Sequence, residues 1–176
     1  MKCLVVGAGL AALLVGCSPA LNWRTVMFDA AALGTTFPCK PDQEARRVEL
    51  AGQAVQMEMM GCEADGATFA VSHAVLPAGT TPAVALQHWQ AAAAARARAT
   101  WPAATTPFVP KGALALPEAV RTTVQGQRPD GAAVTLQAAW FARVVGPEVH
   151  LYHAAFYSRA PRPEVADVFF NGLVLK

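Results

Sequence analysis

An α+β domain is the fold this sequence predicts, and three patterns predict it. Period-two alternation of apolar and polar residues, the signature of half-buried strands, runs through residues 26–76 and again through 118–157. Between them lies one long Ala-rich segment opened by Thr81-Pro82 and closed by Pro102, as a helix would be. A short apolar segment opened by Pro161 and Pro163 ends at Asn171-Gly172. The expected architecture is one globular domain over residues 23–176. It has a central antiparallel sheet of about seven strands, a long helix on one face and a short helix on the other.

In the first half, Val26, Phe28 and Thr35-Thr36-Phe37 form short apolar or β-branched stretches divided by Gly34. Pro38 lacks the amide a ladder needs, so that strand ends there or lies at an edge. Arg46 to Leu50 is the next strand, with Gly52 as a turn. The clearest hairpin joins Val55–Cys62 to Ala67–Leu76 through Glu63-Ala64-Asp65-Gly66. On its first arm Val55, Met57 and Met59 share a face; on its second, Phe69, Val71, His73 and Val75 do. Thr81 is suited to an N-cap and Pro82 to the first helical position, so a helix is expected from Pro82 to about Thr100. Its buried stripe is Leu86, Trp89, Ala93 and Ala97, with His88 turned away.

The second half returns to strands. Val120, Thr122 and Val124 share one face of a strand over 118–125, and Pro129-Asp130-Gly131 is a turn. Val134 to Val145 is apolar on both faces, so its centre should be covered from both sides. Gly146-Pro147-Glu148 turns the chain into Val149–Tyr157, and the short helix and a final strand over Leu173–Leu175 follow.

The N-terminus carries an address. Met1-Lys2 is a short basic start, and the apolar run Cys3–Val15 is too short to span a bilayer but suits a secretory signal. Leu14-Val15-Gly16-Cys17 resembles the lipobox of bacterial lipoproteins, in which the cysteine thiol is acylated and becomes the first mature residue. That resemblance implies a signal peptide over 1–16, a lipidated tether over 17–22 and attachment to a membrane through acyl chains on Cys17. Each buried methylene contributes roughly 0.8 kcal/mol, and two lipid signals already anchor stably. Ser18 follows the cysteine where an aspartate would mark inner-membrane retention, which implies the periplasmic face of an outer membrane. An uncleaved apolar anchor or an ordinary secretory signal is the alternative.

With the signal removed, 13 basic residues face 12 acidic ones, and no dense basic stripe remains to support nucleic-acid binding. Cys39 and Cys62 are then the remaining cysteines, and a pair in an exported chain reads as a disulfide. Closing a loop of about 24 residues contributes roughly 3 kcal/mol. A redox or metal pair would instead show a C-x-x-C spacing or a nearby histidine.

Side chains suited to catalysis are sparse. Ser72 and His73 are neighbours on a strand and point to opposite faces, and neither Ser72 nor Ser158 lies in a G-x-S-x-G elbow. His150 and His153 also fall on opposite faces, and no H-E-x-x-H or clustered Cys/His spacing occurs. No phosphate-cradling glycine motif occurs in the mature region. The expectation is a protein that is not an enzyme and needs no cofactor or metal. His150, Tyr152 and Phe156 share one face of their strand, His153 and Tyr157 the other, with Arg143 on the preceding strand beside one of these rows. Amphipathic aromatics with arginine suit a recognition surface, so Arg143, His153 and Tyr157 are the candidate binding residues. The other reading of these aromatics is plain core.

Three segments resemble the PsbP-like domains of photosystem II extrinsic subunits and of many bacterial exported proteins. Phe28-Asp29 to Phe37-Pro38 is similar to their opening strand pair. Residues 54–76 followed by 82–100 are similar to their strand pair before a single long helix. Val149–Tyr157, the short helix and Phe169-Phe170-Asn171-Gly172-Leu173-Val174-Leu175 resemble their closing strand, helix and F-x-x-S-F-x-L tail. This chain departs from that tail with Gly172 for the serine and Leu173 for the second aromatic. The resemblance implies an antiparallel sheet between helices and a non-enzymatic binding or assembly role. The expected function is therefore an accessory or interaction module at the periplasmic face of a membrane, with an envelope protein as candidate partner. The alternative is a small-ligand binder with a pocket between the long helix and the sheet.

Overall fold

The computed structural model describes residues 20–77, 79–101 and 103–176. The signal segment, Cys17 and Pro102 lie outside the described residues. Among the described residues the fold is α+β, with a seven-stranded antiparallel sheet and two α-helices. In chain order the elements are β1 (Arg24–Phe28), β2 (Leu33–Phe37), β3 (Asp42–Leu50), β4 (Gln53–Ala64) and β5 (Ala67–Leu76). Then come α1 (Pro82–Arg96), β6 (Thr105–Pro107), β7 (Val120–Gln127), β8 (Ala133–Val145), β9 (Glu148–Ser158), α2 (Pro163–Asn171) and β10 (Val174–Leu175). The large sheet runs β3-β4-β5-β9-β8-β7-β6, and β1-β2-β10 form a small second sheet.

Turn chemistry sets the hairpins. Ala51-Gly52 and Asp65-Gly66 join their strands as two-residue loops with both residues at positive φ, the mirror-image geometry that matches strand twist. The β4–β5 loop is therefore tighter than the four-residue turn expected, and β4 runs on through Ala64. β3 starts at Asp42, four residues before the expected Arg46, because its register against β4 holds from Asp42↔Gly61 to Leu50↔Gln53. Almost all of β3 is exposed; it is one of the two edges of the sheet among the described residues, and its mixed charges suit an edge. β6, three exposed residues paired to β7, has no alternation to announce it.

Helix α1 stops at Arg96 rather than near Thr100. Arg98 takes positive φ, and the Ala97 carbonyl accepts the Gln127 amide of β7 at 2.7 Å. A Cβ on Gly126 would collide with that same carbonyl oxygen, so glycine is required by the close approach of strand and helix end. Thr81 occupies the N-cap position without a side-chain cap bond; its carbonyl accepts the Ala85 amide at 3.1 Å. Leu86, Trp89 and Ala97 are buried as expected, Ala93 is half-buried, and Ala85, Gln90 and Ala94 are buried too. The Gln90 amide donates to the Glu118 carbonyl at 2.8 Å, which satisfies its burial. Gly172 ends α2 with φ −77°, so it is not a left-handed cap. A Cβ there would lie 2.5 Å from Thr36, and contact is what excludes a larger residue.

Alternation divides the inner strands between two buried clusters. One gathers Phe69, Val71, Phe141, Tyr152 and Phe156 with Phe169 and Phe170 of α2, and with Phe28, Leu33 and Phe37 of the small sheet. The other gathers Leu76, Leu136, Trp140 and Leu151 with Leu86 and Trp89 of α1. β8 and β9 contribute to both, as expected of strands apolar on either side. Cys39 and Cys62 form a disulfide with Cα atoms 6.1 Å apart, closing the open end of the β3–β4 hairpin.

A candidate binding pocket between α1 and the sheet

One cavity of about 200 Å³ lies between α1 and the large sheet. Helical spacing sets its roof, because Trp89, Ala92, Ala93 and Arg96 recur at three- and four-residue steps and so share a face. Period two sets the opposite wall: Arg46 and Val48 of β3, then Met57 and Met59 of β4, alternate onto the same side. Ser72 of β5 and His153, Ala155 and Tyr157 of β9 complete it.

His153 is held between two indole rings in this cavity. It is 7 % exposed, its ring stacks on Trp140 at 4.9 Å and 12°, and Trp89 lies against it at 5.5 Å. Its Nε2 is buried without a hydrogen-bond partner among the described residues. Burial, reinforced by the Arg96 charge, pushes its pKa down to about 3, so the imidazole is neutral and offers one donor and one acceptor. Burial raises the Tyr157 pKa, with Arg96 opposing. Arg96 is therefore near both groups electrostatically.

Ser72 and His153 are direct cross-strand partners. Along the sequence Ser72 is brought only beside His73, because the register of strands some 80 residues apart is invisible to period two. No hydrogen bond joins Ser72 to His153 among the described residues, and β5 and β9 are each paired on both sides. Their amides are committed to the ladder, so they offer no oxyanion donors.

The candidate residues do not converge. His153 and Tyr157 lie in the pocket, whereas Arg143 pairs with His150 in register and falls on the other face, with Phe141 and Tyr152. A second polar cluster forms there. His73 Nε2 and His150 Nδ1 are hydrogen-bonded at 3.0 Å with rings stacked at 5.2 Å, and the Tyr152 ring lies 5.0 Å from His73. Burial, then His150 and Arg143, pushes the His73 pKa down to about 4; burial lowers that of His150 and raises that of Tyr152. The Tyr152 hydroxyl donates to the Ala31 carbonyl at 3.0 Å, and Arg143 donates to the Lys176 carbonyl at 2.7 Å. These bonds tie the β1–β2 connection and the chain end to the sheet, which is structural work.

No protein-family model matches this chain, and no curated protein matches it. Among the described residues, no three or more His, Cys, Asp or Glu side chains converge as a metal site. A larger hollow of about 650 Å³ lies by the β4–β5 turn. Its lining is mainly turn residues whose charges, Asp65, Asp130, Arg128 and Arg159, are of both signs.

Proposed function

We propose that this chain is a non-catalytic, lipid-anchored binding protein of the bacterial cell envelope, with its ligand site between α1 and the sheet. The observation that carries the proposal is His153: a buried ring nitrogen without a partner, beside a cavity roofed by Trp89 and Arg96. An orphaned buried polar atom costs about 1–3 kcal/mol, a cost that a ligand atom or a retained water relieves. That no hydrogen bond joins Ser72 to His153 among the described residues supports a binding role over nucleophilic catalysis. So does the depressed His153 pKa, because a group titrating near 3 is a weak general base.

Residues of α1 and α2 belong to different clusters on either side of β8 and β9, which supports a sandwich with one helix on each face. That arrangement is the one the PsbP-like resemblance implies. The lipobox-like Leu14–Cys17 supports anchoring through acyl chains on Cys17, facing the periplasm from an outer membrane. A second reading, an accessory module with an envelope protein partner, is favoured by Val144 and Val145. They are 50 % and 43 % exposed at the tip of the β8–β9 hairpin.

Native mass spectrometry of the full chain, extracted gently from its membrane after crosslinking, tests these readings together. The proposal expects a triacylated Cys17 and a recurrent small mass that disappears in His153→Phe. A chain that carries no small molecule but is attached to one recurrent protein would overturn ligand binding in favour of the accessory module. An unmodified Cys17 would remove the anchor.

A further inference from the structure

The pocket is chemically asymmetric. Its inner surface is mainly apolar, from Trp89, Met57, Leu50 and Ala155. Its rim carries two exposed guanidinium groups from different elements, Arg46 on β3 and Arg96 in the last turn of α1. Arg121 and Arg162 form ion pairs with Asp167 and Asp65, but among the described residues neither Arg46 nor Arg96 has an acidic partner. Glu49 is the one acidic residue of the lining, and alternation along β3 directs its side chain to the face opposite Arg46 and Val48. Positive charge at the mouth is therefore unanswered from within the cavity.

Resting on the reading of this cavity as a ligand site, we infer that it takes a small organic anion, a carboxylate on a short apolar body. Arg46 and Arg96 hold the carboxylate by charge-assisted hydrogen bonds, for which guanidinium has the matching planar fork. The apolar body lies against Trp89 and Met57. A polar atom of the ligand, or a water retained beside it, reaches the neutral His153. The volume limits the class: about 200 Å³ holds on the order of seven water molecules at liquid density. A short-chain or single-ring acid fits, whereas a nucleotide or a whole phospholipid does not. An inorganic anion would leave the apolar wall wet.

The test uses the full-length chain in a neutral detergent and two isosteric pairs, hexanoate with hexanamide and phenylacetate with phenylacetamide. Binding is read by calorimetry and by tryptophan fluorescence, since Trp89 lines the cavity. Arg46→Gln and Arg96→Gln are the variants; both positions are exposed, and their melting curves check that the fold is kept. The inference expects at least one acid to bind saturably and its amide to bind about tenfold more weakly or worse. Each arginine variant should lower acid affinity by about the same factor and leave amide affinity unchanged. Amides that bind as tightly as acids, or acid binding indifferent to both variants, would overturn the anion class while leaving the ligand site standing. If neither acids nor amides bind to the folded protein, the cavity is not a ligand site and both readings fall.

Discussion

Removing the Cys39–Cys62 bridge is the sharpest test of how this fold is held together. The cysteines are 23 residues apart, Cys39 just before β3 and Cys62 near the end of β4, so the bridge closes a loop that the unfolded chain would otherwise explore freely. The chain-entropy relation for a loop of this length gives about 3.4 kcal/mol at room temperature. For a domain of this size each kcal/mol moves the melting temperature by a few degrees, so Cys39→Ala/Cys62→Ala should melt roughly 10 °C lower. Urea unfolding is the assay, comparing the oxidised protein, the reduced protein and the double variant. The unbridged forms should also show a larger m-value, because their unfolded chains expose more surface. A double variant within about 1 kcal/mol of the oxidised protein would refute the entropic reasoning. Two free thiols in the unfolded, unreduced protein would refute the bridge itself.

Three further outcomes are expected. His73 and His153 titrate near 4 and 3 when folded but near 6.5 when unfolded, so the unfolded chain takes up their protons first. Stability is then fully present above about pH 6.5 and falls as pH drops toward 4, by up to about 3 kcal/mol per pH unit for the two together. His153→Phe should remove about half that slope, and urea midpoints that stay flat across the window would contradict it. Gly126→Ala forces a methyl group against the Ala97 carbonyl and should cost about 1–3 kcal/mol; a thermal melt indistinguishable from the parent would show that the helix end yields instead. Tyr152→Phe deletes the buried bond to the Ala31 carbonyl and should cost about 1 kcal/mol in urea unfolding, with no loss expected if water already reaches that carbonyl.

The parts of the fold that local chemistry dictates were legible in the sequence. The β4–β5 hairpin follows from alternation on both arms around Asp65-Gly66, and α1 begins at Pro82 as its start signal requires. The cysteine pair followed from export and parity. The end of α1 was not legible, since what stops it is a carbonyl claimed by Gln127, thirty residues onward. β6 and the first residues of β3 hold their shape by pairing and carry no apolar rhythm. The site was legible only in part. His153 and Tyr157 share a face by period two, but Arg46, Trp89 and Arg96 join them through tertiary packing. Arg143 is separated from them by a parity that depends on the β8–β9 register. Pairings such as Ser72 with His153 and His73 with His150 are likewise properties of the assembled sheet.

One wall of the pocket is β3, which among the described residues is hydrogen-bonded to a neighbouring strand along only one side. Although the Cys39–Cys62 bridge and the Ala51-Gly52 turn hold its ends, such a strand can part from β4 without disturbing β5, β8 or β9, and it would then serve as a door to the cavity at less than the cost of unfolding the domain. A guest held by Arg46 would latch that door. Its arrival should slow amide exchange along β3 and its partner β4 while leaving the slowest amides of β8 and β9 as they were. The residence time of the guest would then follow the breathing of one strand.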